Sequence, residues 1–204
     1  MKKLFGRLTF LFILLVMSIA FAIVYQDSQR VLSYRSLVKE VLTNREISID
    51  EELVLAMIYT ESKGKGQDIL QASESLTGQI GQISSPKASL EVGIDLFEQN
   101  LSLSSQKQTD SWTAVQAYNM GTTYIDYVAE NGGKSTIYLA RTFSQEVVAP
   151  SLGNTNGDTY AYYHPLAIMY GQPSLYQDGG NAYYAEQVKL NRSILKVMAL
   201  IIKN

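Results

Sequence analysis

The residues SIDEELVLAMIYTESKGKGQDILQASES, Ser48 to Ser75, read as a buried helix followed by a glycine-containing turn and a polar strip. Ser48 and Glu51 form an S-x-x-E capping box that predicts the start of the helix. Gly64, just after Lys63, supplies a stop in the left-handed conformation that glycine tolerates. Between these signals Leu53, Val54, Leu55, Ala56, Met57, Ile58 and Tyr59 are apolar on every face. That is the pattern of a helix inside a core.

Glu61 falls where this helix ends. It follows Ile58 and Met57 by three and four residues and Val54 by seven, so it prolongs an apolar stripe. Partial desolvation and the negative end of the helix dipole both disfavour its charged form, which predicts a raised pKa. A carboxylic acid of that kind can hold a proton near neutral pH and serve as a general acid. On position alone, a surface Glu61 paired with Lys63 or Lys65 is an equally open reading.

Before this helix, Leu8 to Tyr25 carries no charge over about eighteen residues and is preceded by Lys2, Lys3 and Arg7. The basic flank predicts a single-pass membrane anchor over residues 1–27, with the N-terminus inside and residues 28–204 on the extracellular side. Ala20-Phe21-Ala22 has the form of a signal-peptide cleavage site, but the apolar run continues through Ile23 and Val24, which favours the anchor. Val31, Tyr34, Leu37, Val38, Val41 and Leu42 predict an amphipathic helix over about 28–43, docked on the body.

Beyond the polar strip and a loop over Thr77 to Ser84, Pro86 opens a helix with Leu90, Ile94, Phe97 and Leu101 inward, and a loop is expected from Leu101 to Gln108. Asp110 or Thr109 caps a helix ending at Asn119-Met120-Gly121, and another turn starts with Thr123 and Asp126. Ser135 or Thr136 starts a helix through Phe143 that closes before Pro150. Gly153 to Asp158 is a loop by composition. Tyr160, Tyr162, Tyr163, Tyr170 and Tyr176 read as packing ahead of a sugar platform. Ala182 to Ile202 is a last helix with Tyr184, Val188, Leu195 and Ile202 inward, and Lys189, Arg192 and Lys196 rule it out as a second span. With no convincing strand pair, the fold class is all-α.

Composition narrows the chemistry. The chain has 46% hydrophobic and 18% charged residues, the balance of a folded protein, and no cysteine. One histidine, His164, is too little for a histidine-rich metal site or a Ser-His-Asp triad, so no metal or cofactor is expected. Setting Lys2, Lys3 and Arg7 aside leaves 14 basic residues against 19 acidic ones, a net −5. An acidic body argues against nucleic acid as a partner.

Four segments, in order, resemble the lysozyme-like peptidoglycan hydrolases of the goose-type lysozyme and lytic transglycosylase superfamily, in particular its membrane-anchored bacterial branch. Glu61-Ser62 is similar to that family's E-S pair. Asp68-Ile69-Leu70-Gln71 with Ser73-Glu74-Ser75 resembles D-x-M-Q-x-S-E-S, with Leu70 in place of Met. Ala117-Tyr118-Asn119-Met120-Gly121 is similar to A-Y-N-x-G, and Tyr184 with Val188 to a late Y-x-x-x-V helix. The resemblance covers most of residues 31–204. It implies Glu61 as the catalytic acid of a muramidase, with Gln71, Ser73, Glu74, Tyr118, Asn119 and Tyr184 around the sugar cleft and Tyr184 touching Glu61.

Cleaving a β-1,4 glycosidic bond requires a carboxylic acid that protonates the leaving oxygen, often with a second carboxylate nearby. Asp68 and Glu74 are the candidates for that second group. The resemblance also allows the substrate's N-acetyl group to take its place. The expected partners are peptidoglycan glycan strands, the membrane and cell-wall or division proteins. A peptidoglycan-binding or cell-division scaffold on the same fold, with weak or no catalysis, is the alternative from a different class.

Overall fold

A computed structural model describes residues 2–73 and 83–202. Its order is α1 Lys2–Leu32, α2 Arg35–Asn44, α3 Glu51–Glu61, α4 Pro86–Gln106, α5 Ser111–Met120, α6 Thr123–Glu130, α7 Ile137–Phe143, β1 Thr159–Ala161, α8 Pro165–Met169, β2 Ser174–Tyr176 and α9 Tyr184–Ile202. Helices dominate, as the sequence predicts. Glu74, Ser75 and most of the loop expected over Thr77 to Ser84 lie outside the described residues.

Helix α3 is the centre of the larger core. Val54 to Tyr59 are all buried, and α9, α2 and the end of α1 pack around them. The helix starts on Asp50 rather than Ser48: the Asp50 carboxylate accepts the Glu52 N–H at 2.9 Å. Glu51 is free of the expected capping box and pairs, with Glu52, to Arg35 of α2. At the other end Lys63, with φ 55°, takes the left-handed position one residue before Gly64, which follows at φ 70°. Gly64 is needed there for a second reason. A Cβ on it would come within 3.1 Å of the Tyr34 ring and 3.3 Å of the Arg30 side chain.

Helix α1 is long and apolar enough to cross a membrane. It does not stop at the sequence boundary near residue 27. Its last turns bury Asp27, Ser28 and Val31 against the body, and the Ser33 hydroxyl donates to the Arg30 carbonyl at 2.7 Å where the chain turns into α2. The helix expected over 28–43 is therefore two helices broken at Ser33-Tyr34, with Val31 on the first and Val38, Val41 and Leu42 buried on the second. Arg30 pairs with Asp27 at 2.8 Å and donates to the Lys63 carbonyl at 3.1 Å, and the Tyr34 hydroxyl donates to the Gly64 carbonyl at 3.3 Å. These contacts make a seat for the end of α3.

Ser85 caps α4 by accepting the Ala88 N–H at 3.2 Å, with Pro86 at its first position. The helix runs on through the expected loop at Leu101 to Gln106, because serine and glutamine do not break helices and Ser104 finds a buried place. Asp110 caps α5 and accepts from the Thr113 N–H and hydroxyl and from Ser135 N–H, which ties the α6–α7 connection to it.

A second core cluster joins Tyr124, Ile125, Val128, Phe143, Leu175 and Tyr183. After α7 the helix continues past the expected stop through a π turn, Ser144–Val148, and Ala149–Ser151. Pro150 then sits at the start of a fresh turn, where its missing N–H costs little. β1 and β2 pair antiparallel, Thr159 opposite Tyr176. This hairpin is unannounced in sequence because β1 is exposed along its length and its base is held by one side chain: Asn154 donates to the carbonyls of Asp158 and Gln177 at 2.9 and 2.8 Å. The tyrosines of this lobe are less packed than expected. Tyr162 stacks between His164 and Tyr183, whereas Tyr160, Tyr163 and Tyr170 are exposed.

Candidate active site

Glu61 ends α3 half-buried, and neither Lys63 nor Lys65 forms an ion pair with it among the described residues. Burial pushes its pKa up from 4.5 to about 7, and the nearby charge of Asp68 adds to the rise. The Tyr184 hydroxyl opposes it by donating toward the carboxylate. That hydroxyl is wholly enclosed and has no closed hydrogen bond among the described residues, so its approach to Glu61 is looser than ideal geometry. Tyr184 is placed by the first turn of α9, and its ring stacks on Tyr118 of α5 with centroids 6.4 Å apart.

Tyr118 belongs to the same cluster but spends its hydroxyl on the loop, donating to the Leu70 carbonyl at 2.9 Å. The loop is otherwise organised by Asp68. Its carboxylate accepts from Ala72 N–H at 2.9 Å, Ser73 N–H at 3.0 Å and the Ser89 hydroxyl at 2.7 Å. Burial alone would raise its pKa, but these hydrogen bonds, led by Ser89, outweigh it and hold Asp68 below the usual carboxylate range. Asp68 is thus an ionised brace. Gln71 is exposed, at φ 51°, and Ser73 is buried.

Asn119 stands at the end of α5, exposed, and its side-chain oxygen accepts the Asn181 N–H at 2.7 Å. Its amide nitrogen has no partner among the described residues. The structure therefore brings Glu61, Tyr184, Tyr118 and the Asp68–Ser73 loop together, and ties Asn119 to the segment leading into α9. A cavity of 720 Å³ bounded by Tyr138, Arg141, Tyr170, Tyr176, Glu186 and Lys189 is elsewhere, and no predicted site residue lines it.

Several supports escape a reading of the sequence. Ser62 donates to the Ile69 carbonyl at 2.8 Å and closes the loop on α3. Ser89 accepts the Leu70 N–H at 2.9 Å while donating to Asp68. Gly93 leaves room for both Leu70 and Tyr118, since a Cβ there would lie 2.6 Å from Leu70 Cδ1 and 2.8 Å from the Tyr118 hydroxyl. Gln116, buried on α5, donates to the Asn181 carbonyl and accepts the Ala185 N–H, which fixes the start of α9 and so Tyr184. The available signal was the pair of small residues Ser89 and Gly93, four apart on the inner face of α4, which marks a close approach.

A helical body built round one buried helix, with a carboxylic acid at its end that titrates near neutrality and an ionised brace beside it, has the architecture of a lysozyme-like domain. The chain belongs to the Lysozyme-like family, whose model matches residues 28–192. It is 49% identical over 189 residues to the Pneumococcal vaccine antigen A homolog of Streptococcus pyogenes serotype M1, covering 93% of this chain and 94% of that one. A shorter match, 41% over 93 residues, is to the Bifunctional muramidase/DL-endopeptidase CwlT of Bacillus subtilis strain 168, and covers 46% of this chain and 27% of that protein. A solved structure from Staphylococcus aureus subsp. aureus Mu50, described as similar to lipoprotein of the NLP/P60 family, matches with a TM-score of 0.71 at 29% identity. That match covers 80% of this chain and 52% of the other, so the chain spans about half the length of the solved structure.

Proposed function

We propose that the protein is a membrane-anchored muramidase that cleaves the β-1,4 bond between N-acetylmuramic acid and N-acetylglucosamine in peptidoglycan during cell-wall remodelling. The observation that carries this is Glu61, a half-buried acid with a pKa of about 7 beside the enclosed hydroxyl of Tyr184. The similarity of part of the chain to a protein named as a muramidase supports it.

Protonated Glu61 gives its proton to the bridging oxygen as the bond to C1 of the muramic residue breaks, and the electron pair leaves with that oxygen. Asp68, whose carboxylate accepts from Ala72, Ser73 and Ser89, is committed to the loop. The developing positive charge at C1 then falls to the oxygen of the substrate's own 2-acetamido group. Glu61, now a carboxylate, takes a proton from the attacking group. Water in that role gives hydrolysis, and the muramic C6 hydroxyl gives a 1,6-anhydro end. Gln71, Ser73 and the Asn119 amide nitrogen, without a partner among the described residues, are the contacts for the sugar; Tyr184 holds the acid, and Tyr118 backs Tyr184 by stacking. Residues 1–27 are the anchor, with the N-terminus inside, and residues 28–204 the cutting domain on the wall side.

The test is digestion of purified peptidoglycan by the full chain in detergent, with mass spectrometry of the soluble products. Release of muropeptides by the wild type and not by Glu61→Gln is expected, and 1,6-anhydro ends, one water lighter, distinguish the two outcomes. Equal release by both proteins would place the acid elsewhere.

A further inference from the structure

Helix α9 has two apolar faces. Tyr184, Val188, Leu195 and Met198 are buried in the body. Further round the helix Leu190, half-buried Ile194, Val197 and Ile201 fall at i, i+4, i+7 and i+11, a single stripe down the helix. Toward the C-terminal end this stripe is bare: Val197 is 57% exposed and Ile201 43%, with Leu200 exposed beside them. A body facing water on all sides gains nothing from such a stripe.

The position of the stripe identifies what covers it. The first turn of α9 is occupied by α5, through Gln116 on Ala185 and Tyr118 on Tyr184. Its middle is occupied by α3, through Thr60 with Asn191 and Asp50 with Arg192. Helix α1 also packs against α9, and the part of α1 that meets the body is Val24 to Val31, the outer end of the uncharged run. Those α5 and α3 contacts stop at Arg192, which leaves the C-terminal half of α9 open to α1. With α1 seated there, the bare turns of α9 stand beside the point where α1 leaves the apolar layer. Lys196 is exposed next to Leu200, one turn before it, and has no ion pair among the described residues, so its long stem can carry the ammonium to headgroup phosphates.

We infer that the C-terminal turns of α9 are seated in the lipid interface next to the anchor, a second and non-spanning contact with the bilayer. The inference rests on α1 spanning the membrane and on nothing about catalysis. Lys189, Arg192 and Lys196 keep the helix from crossing, while an apolar stripe with a basic flank suits a helix lying about 5–10 Å into the headgroup boundary.

Tryptophan quenching tests it. The full chain carrying Trp112→Phe, to remove its one native tryptophan, receives Val197→Trp or Ile201→Trp in separate proteins and is reconstituted in phosphatidylcholine vesicles with or without bromine on the acyl chains. Both are expected to lose roughly half or more of their emission to the brominated lipid, as befits a ring at interfacial depth. Tyr138→Trp, at an exposed position on α7, should lose almost none. Equal emission in the two vesicles at 197 and 201 overturns the inference, as does equal quenching at 138, which means general adsorption. Unquenched but blue-shifted emission at 197 would assign the stripe to a second copy of the chain and overturn it too. Release of the protein by alkaline carbonate would overturn the spanning reading of α1, whereas a retained, unquenched protein overturns only the interfacial seat. Two separate outward positions keep the test decisive if one variant does not fold.

Discussion

Glu61 is held protonated by burial and by the charge of Asp68, and it is opposed by Tyr184, so each influence can be removed singly. Glu61→Gln keeps size and hydrogen-bonding capacity but cannot deliver a proton, and should cost on the order of 10²–10⁴ in rate. The same substitution has a signature in stability. Below pH 4.5 Glu61 is protonated in both folded and unfolded chains; between 4.5 and about 7 only the unfolded chain ionises, so stability falls as pH rises. Above that window the folded chain carries a penalty of about 3 kcal/mol. Glu61→Gln should therefore melt higher than wild type at pH 8 and alike at pH 4, and thermal unfolding at both values checks it. Tyr184→Phe removes the hydroxyl that favours the charged form, so the Glu61 pKa should rise further. A general acid works only while protonated, so the alkaline limb of the activity profile should move to higher pH in that variant. An unmoved limb would mean that Tyr184 merely packs.

At the scale of elements, the loop after α3 is held by α4 through Ser89 and Gly93. Ser89→Ala leaves the buried Leu70 N–H and one lone pair of Asp68 without partners, at a cost of about 1–3 kcal/mol. Gly93→Ala forces Leu70 and the Tyr118 hydroxyl aside, at about 1–3 kcal/mol for overpacking. Denaturant unfolding measures both, and if the loop contacts the sugar as proposed, KM should suffer more than kcat in Ser89→Ala. Sequence periodicity revealed α3, α4, α5 and α9 and placed Glu61 at a helix end, because burial writes itself into apolar spacing. It missed Ser89, Gly93 and Gln116, whose work is done across helices separated by tens of residues. It also placed the cap of α3 two residues early, since Ser48 and Asp50 carry equivalent capping chemistry. The hairpin of β1 and β2 was illegible because a three-residue exposed strand has no alternation to read.

For the whole molecule, the expected boundary at residue 27 divides what the fold keeps together. A chain beginning at residue 26 retains Asp27, Ser28, Arg30 and Val31 in the body and should stay near full stability once freed from the membrane. One beginning at residue 34 loses a buried valine, about 1.5–3 kcal/mol on its own, together with the Arg30 contact to Lys63. A lower melting temperature of the shorter chain checks this, and equal melting would show the seat to be dispensable. Because α1 runs unbroken from the apolar run into that seat, the angle at which an anchoring α1 crosses the bilayer would also be the angle at which the body stands on it. A helix longer than the hydrocarbon is thick accommodates by tilting. Glu61, two residues from the carbonyl that Arg30 grips, would swing with that tilt, and membrane thickness would set which part of the surroundings the acid can reach.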